Sequence, residues 1–186
     1  ARGRQLRKGL EPRFDEFARV LANLQGTVAR ARSAAAEGWR MVAEAGAASP
    51  RRRKNYNFHA TDADASHRLL NAMEPDSYIP PHCHFNASKD ETILILRGRI
   101  GMVLFTPAGD ITSTHVLAAC GDKIGINIPH GQFHTLVALE PGSVFFESKA
   151  GPYQPLSAQE KASWAPSEGD PEANAYLKKL KELFVK

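Results

Sequence analysis

Chemistry in this chain concentrates in its histidines. Of the seven, His82 and His84 stand two apart, His130 and His134 four apart, and His59, His67 and His115 are scattered. Residues two apart on a strand project from the same face, so His82 and His84 can reach one ion together while Cys83 points away. Imidazole is a ligand for Zn, Fe, Ni, Cu and Mn, and two on a rigid strand form a chelate that needs one or two more donors. A pair of hydrogen-bonded surface histidines has the same spacing, so the pair alone does not define a metal site.

The surroundings add weight. Glu91 follows the pair, Gly98 stands seven residues beyond Glu91, and Pro129-His130-Gly131-Gln132-Phe133-His134 comes later in the chain. In that order these residues resemble the two motifs of the cupin superfamily: HxH, an acid and a glycine seven beyond the acid, then PxGxxH. The resemblance implies one divalent transition metal (Fe, Zn, Ni or Mn) held by His82, His84, His134 and Glu91. One departure leaves Glu91 open. Six residues, Phe85 to Asp90, separate His84 from Glu91, where the general pattern has three or four. The longer loop either still brings Glu91 inward or leaves a three-histidine site, with Asp90 as the weaker substitute. His130, in the turn, is expected to face solvent or the barrel mouth, and His59 with Asn57 to hydrogen-bond within a sheet.

The elements that must position these residues are short strands. From Tyr56 onward, apolar runs are bounded by Gly, Pro, Asp and Asn, which predicts strands over His67–Leu70, Thr92–Leu96, Ile100–Phe105, Ile111–Leu117, Ile124–Ile128, Thr135–Leu139 and Ser143–Glu147. Such regular spacing favours a closed barrel or sandwich over a parallel α/β sheet. Before them, Phe14, Phe17, Leu21 and Leu24 recur at helical steps, and a second helix is predicted from about Val28 to Ala45 with Gly46 as its stop. After them, Asp170 and Pro171 open a last helix whose apolar face is Tyr176, Leu177, Leu180, Leu183 and Phe184. The expected fold is therefore mainly β, a cupin double-stranded β-helix or jelly-roll barrel, divided as a helical N-terminal extension (1–48), the barrel with its metal site (49–169) and a C-terminal helix (170–186).

A narrower resemblance covers about residues 49 to 180. The runs Arg51-Arg52-Arg53-Lys54-Asn55-Tyr56-Asn57-Phe58-His59, Ser77-Tyr78-Ile79-Pro80-Pro81-His82, Glu91 through Arg99, and Leu139-Glu140-Pro141-Gly142-Ser143-Val144-Phe145-Phe146-Glu147 are similar to the WbuC family of cupin-fold metalloproteins. That likeness implies a small bacterial cytosolic protein associated with surface-polysaccharide gene clusters, with no reaction attached. An enzyme of the isomerase or oxygenase type, acting on a small polar, sugar-related molecule, is the leading expectation; a sensor or scaffold is the alternative. Strand parity assigns Tyr78 to the side of His82 and Arg97 to the side of Glu91, where a guanidinium would meet an anion or a neighbouring carboxylate. These two and Gln132, inside the second motif, are the expected pocket residues.

Composition narrows the partners. The net charge of +4 conceals 13 Lys/Arg against 5 Asp/Glu in residues 1–54 and 11 against 15 in the remainder. The basic run Arg51 to Lys54 is expected to form local ion pairs, because no aromatic interleaving or nucleic-acid module accompanies it. No apolar stretch reaches the roughly 18–20 residues of a membrane span, so the expected location is cytoplasmic, with no membrane partner and both cysteines, Cys83 and Cys120, reduced. The helical stripes at the two ends predict a homodimer, since each needs an apolar surface to cover.

Overall fold

The computed structural model describes residues 38–185. Residues 38–48 are helical (α1) and are followed by eight strands: β1 (Arg53–Asn57), β2 (Ser66–Met73), β3 (Glu91–Arg97), β4 (Arg99–Phe105), β5 (Ile111–Ala118), β6 (Gly125–Ile128), β7 (Phe133–Ala138) and β8 (Ser143–Ala150). A short 3₁₀ turn, Ala158–Glu160, and the helix α2, Ala173–Glu182, complete the described chain. The predicted helix over Phe14–Leu24 lies outside the described residues.

All strand pairings are antiparallel, in two sheets ordered β1-β2-β8-β3-β6 and β5-β4-β7. An isolated bridge between His82 and His134 adds a fourth member beside β7. With β1 set aside as an extra edge, four strands face four: β2-β8-β3-β6 against the His82 segment, β7, β4 and β5. That is the order of a jelly roll, the architecture cupins share, so the expected mainly β barrel is the fold observed.

Alternation along the strands fills the space between the sheets. Met73, Ile93, Ile95, Ile100, Met102, Leu117, Ile128, Leu136 and Phe145 form the central cluster. Outside the smaller sheet, Val103, Phe105, Phe133 and Val137 meet Ala173, Leu177 and Leu180 of α2, which is why every residue of β7 is buried. Gly101 on β4 permits close approach there, since a Cβ would stand 2.5 Å from the Phe184 ring. Gly98, with φ of +73°, makes the reversal between β3 and β4. On the outer face of the larger sheet, Val42 and Ala43 of α1 cover Leu70, Ala72 and Val144.

Two expectations change. The helix expected to stop at Ala45 runs to residue 48 and packs on the barrel, so the last ten residues of the expected extension share the barrel's packing. Tyr176, Leu177, Leu180 and Phe184 of the C-terminal stripe pack on their own barrel while Leu183 stays exposed, which removes most of that half of the reason for a second copy. No helix among the described residues is long and apolar enough to cross a membrane.

Candidate metal centre and its cavity

The site is assembled by three pieces of chain that the jelly roll brings together. His82 and His134 form a bridge pair, each amide donating to the other's carbonyl at 3.0 and 2.9 Å, so their rings lie side by side with centroids 4.6 Å apart. His84 follows two residues on, its ring 5.4 Å from that of His82. Cys83 between them points the other way, into the cluster under α2, where burial pushes its thiol up to about 11. Glu91 is the first residue of β3, 3% exposed, and its register partner on β8 is Lys149.

Donor atoms of His82, His84 and Glu91 lie within 4.8 Å of one another. His134 joins through Glu91: its Nε2 is 3.1 Å from Oε2, while His84 Nε2 is 3.0 Å from Oε1. The hydrogen bonds on the far side of two rings fix what these nitrogens offer. Nδ1 of His82 donates to the Pro80 carbonyl at 3.0 Å and Nδ1 of His134 to the Gln132 carbonyl at 2.9 Å. A neutral ring that donates through Nδ1 carries a lone pair at Nε2, the arrangement that outer hydrogen bonds impose on metal-binding histidines. The His134 Nε2 is buried and, despite its closeness to Glu91, makes no aligned hydrogen bond. A lone pair facing a carboxylate is unfavourable unless a cation lies between them, so this donor set fits a divalent transition ion.

The electrostatics agree. Burial, and then the His134 ring, push the His82 imidazole down to about 3, leaving it neutral and able to donate a lone pair. Burial alone would raise the Glu91 carboxyl, but the His84 ring and the Lys149 ammonium hold it well below the usual carboxylate range. Burial alone would likewise lower Lys149, but Glu147 and Glu91 outweigh it and raise it. Lys149 Nζ lies 2.8 Å from Glu91 and 2.7 Å from Glu147, whose other oxygen accepts from Asn71 at 2.9 Å.

A cavity of about 210 Å³ opens beside His82 and His84 and is lined also by His67, Lys89, Lys149 and Tyr153. A neighbouring cavity of about 270 Å³ shares His67, Lys149 and Tyr153 with it and continues past Asn55, Asn57 and His59. There His59 and His67 stack with centroids 4.0 Å apart and planes within 9°.

The structure does not bring the three expected pocket residues to either cavity. Tyr78 is buried in the cluster under α2 and its hydroxyl donates to the Pro166 carbonyl at 2.8 Å; residues 77–81 are not in a strand, so parity with His82 does not apply. Arg97 is exposed at the far end of β3, beyond a bulge between Ile95 and Arg97 that breaks the alternation. The Gln132 side-chain amide donates to the Phe105 and Phe133 carbonyls at 2.8 and 2.9 Å, and the Gln132 backbone carbonyl holds His134. Asp90 is turned away, accepting from the backbone amide and ring of His130 on the exposed rim at 2.9 and 3.0 Å. Sequence reasoning missed Lys149, because β8 was expected to end at Glu147. Two more residues of alternation from Phe145 and Glu147 lead to it.

Comparison with known proteins gives a partial frame. A family model described as a domain of unknown function, DUF6016, matches residues 36–117. No curated protein matches. Among solved structures, the chain is similar to KdgF from Halomonas sp. (20% identity, TM-score 0.44, covering 57% of this chain and 85% of that one). It is also similar to a cupin superfamily protein from Desulfitobacterium hafniense DCB-2 (12%, 0.42, 53% and 76%). A third is the polyketide cyclase RemF from Streptomyces resistomycificus (22%, 0.48, 72% and 84%). Strand order, not these partial overlaps, fixes the fold.

Proposed function

We propose that this chain is a mononuclear metal-dependent enzyme of the cupin type, acting on a small polar molecule, with His82, His84, His134 and Glu91 as the metal ligands. The observation that carries the reading is the buried Nε2 of His134, without a hydrogen-bond partner and 3.1 Å from Glu91. When bound, the ion would supply Lewis acidity toward a ligand oxygen. The chain's own residues do the rest. The Pro80 and Gln132 carbonyls hold two rings in one tautomer, Lys149 keeps Glu91 ionised and in place, and β3, β7 and β8 fix the geometry. An ion held by these four residues would have room for a further ligand, and the 210 Å³ cavity lies beside His82 and His84. A scaffold cupin would have that space filled by side chains, so the cavity favours the enzyme reading over the scaffold.

The sequence likeness to the WbuC family makes sugar-related metabolites of surface-polysaccharide assembly the first substrates to try. The test is turnover of a panel of sugar acids and sugar nucleotides by protein loaded in turn with Fe(II), Zn, Ni and Mn. Turnover that needs the metal and disappears in His82→Ala supports the reading. Turnover that survives metal removal contradicts it.

A further inference from the structure

The six-residue loop that departs from the motif spacing brings a charge to the cavity. Within it, the turn from Asn86 to Lys89 is closed by the Lys89 amide donating to the Asn86 carbonyl at 2.8 Å. The Lys89 side chain is then folded inward, 7% exposed, and lines the same cavity as His82 and His84. Its ammonium donates to the Pro152 carbonyl at 3.0 Å. No carboxylate oxygen lies within 4.0 Å of it among the described residues.

Lysine is almost never fully buried unless paired, because removing an ammonium from water is costly. Lys89 has one neutral acceptor for three N–H donors. Its neighbour Lys149 differs, since Glu91 and Glu147 both contact it. Those two carboxylates balance the two ammonium groups around the cavity, so a divalent ion among the ligands would leave the cavity with a net positive charge. What is missing is a negative group that reaches Lys89 from the cavity side. At about 210 Å³ the space takes the charged end of a ligand, and the adjoining cavity of about 270 Å³ takes what extends beyond it.

We propose that the cavity beside His82 and His84 binds a small oxyanion, a carboxylate or a phosphate, and that Lys89 recognises its charge. This deepens the functional reading above and rests on the same cavity. The oxyanion accepts the free Lys89 N–H donors, and the rest of the molecule extends past His67 and Tyr153 toward Asn55 and Asn57. Lys89 is a binding residue here, distinct from the metal ligands.

The experiment is calorimetric titration of the full chain, cobalt(II)-loaded and metal-free, with glycolate and separately with inorganic phosphate, in a buffer free of other oxyanions. Wild type is expected to bind at least one of the two, and which one tells a carboxylate site from a phosphate site. Lys89→Gln is expected to weaken that binding by about tenfold or more, Lys89→Arg to keep it within about threefold, and both to retain the cobalt content of wild type. Should Lys89→Gln fail to fold, Lys89→Met, which leaves no unpaired polar group, makes the same comparison. Equal affinity in the charge-removing variant, or no binding of either anion by either form of wild type, overturns the proposal. Failure of wild type to hold cobalt overturns the metal reading instead, and the metal-free titrations then decide on Lys89 alone.

Discussion

At the scale of single residues, the spacing in the sequence singled out four residues that the fold brings together, while parity held at some positions and failed at others. His82 and His84 fall on one side with Cys83 on the other, as alternation requires, and Glu91 is turned inward despite the long loop before it. Tyr78 and Arg97 did not follow parity, one in irregular chain and one beyond a bulge. Lys89 was hidden for a different reason: its loop has no period to read, and its inward fold depends on a carbonyl more than sixty residues later. One variant separates Glu91 as a ligand from Glu91 as a neighbour of a three-histidine site. Because the core around it is apolar and Lys149 retains Glu147, Glu91→Gln should stay folded while losing about ten- to a hundred-fold in metal affinity. A variant that binds metal as wild type does, measured by competition with a chelator, would establish the three-histidine site.

At the scale of elements, the seven predicted strands all exist, most of them longer by one to three residues at an end, because ladder hydrogen bonds continue past the apolar run that marks a strand in sequence. β1 was the element least visible. Its residues Arg53–Asn57 are basic and polar, and their outward burial pattern shows an edge strand with little apolar signal. α1 teaches a complementary lesson: Gly46 lies inside it, facing Ala72, with a Cβ position 3.1 Å from the Ala72 side chain. There glycine permits close helix–sheet packing and does not end the helix. The covering role of α1 yields a prediction. A chain beginning at residue 47 exposes Leu70, Ala72 and Val144 and should melt several degrees below a chain beginning at residue 38. Identical thermal midpoints would mean that α1 adds nothing to the barrel.

At the scale of the whole molecule, the charge asymmetry of the sequence is partly used inside the fold. Arg51 and Arg53 both reach Glu168 in the segment before α2, at 2.7 and 2.8 Å, and Arg52 reaches Asp76 at 3.0 Å, so three of the four residues in the basic run form the expected local ion pairs. The Arg51 hydrogen bond first, and Arg53 with it, hold the Glu168 carboxyl down to about 2. A carboxyl lowered on folding stabilises the native state above its unfolded value, near 4.3, and that stabilisation fades as pH falls through about 2. Glu168 is about one-third exposed, so screening limits the effect to about 1 kcal/mol. Urea unfolding at pH 5 and pH 2.5 should therefore show wild type losing more stability than Glu168→Gln over that interval. Equal losses would mean the pair holds the C-terminal segment without contributing to stability. A closed barrel or sandwich was legible from strand count and spacing, and the jelly roll from the likeness of the histidine motifs, whereas the packing of both helices on the barrel depends on long-range contacts that local periodicity does not record.

The central claim is that one divalent ion is held by His82, His84, His134 and Glu91 together, and the most direct test is elemental analysis after loading and dialysis. Wild type should retain about one equivalent of at least one of Fe, Zn, Ni or Mn per chain, and His134→Ala should bind it about tenfold or more weakly while keeping its fold by circular dichroism. Full metal occupancy in folded His134→Ala, or no retention of any of the four ions by wild type, would contradict the account.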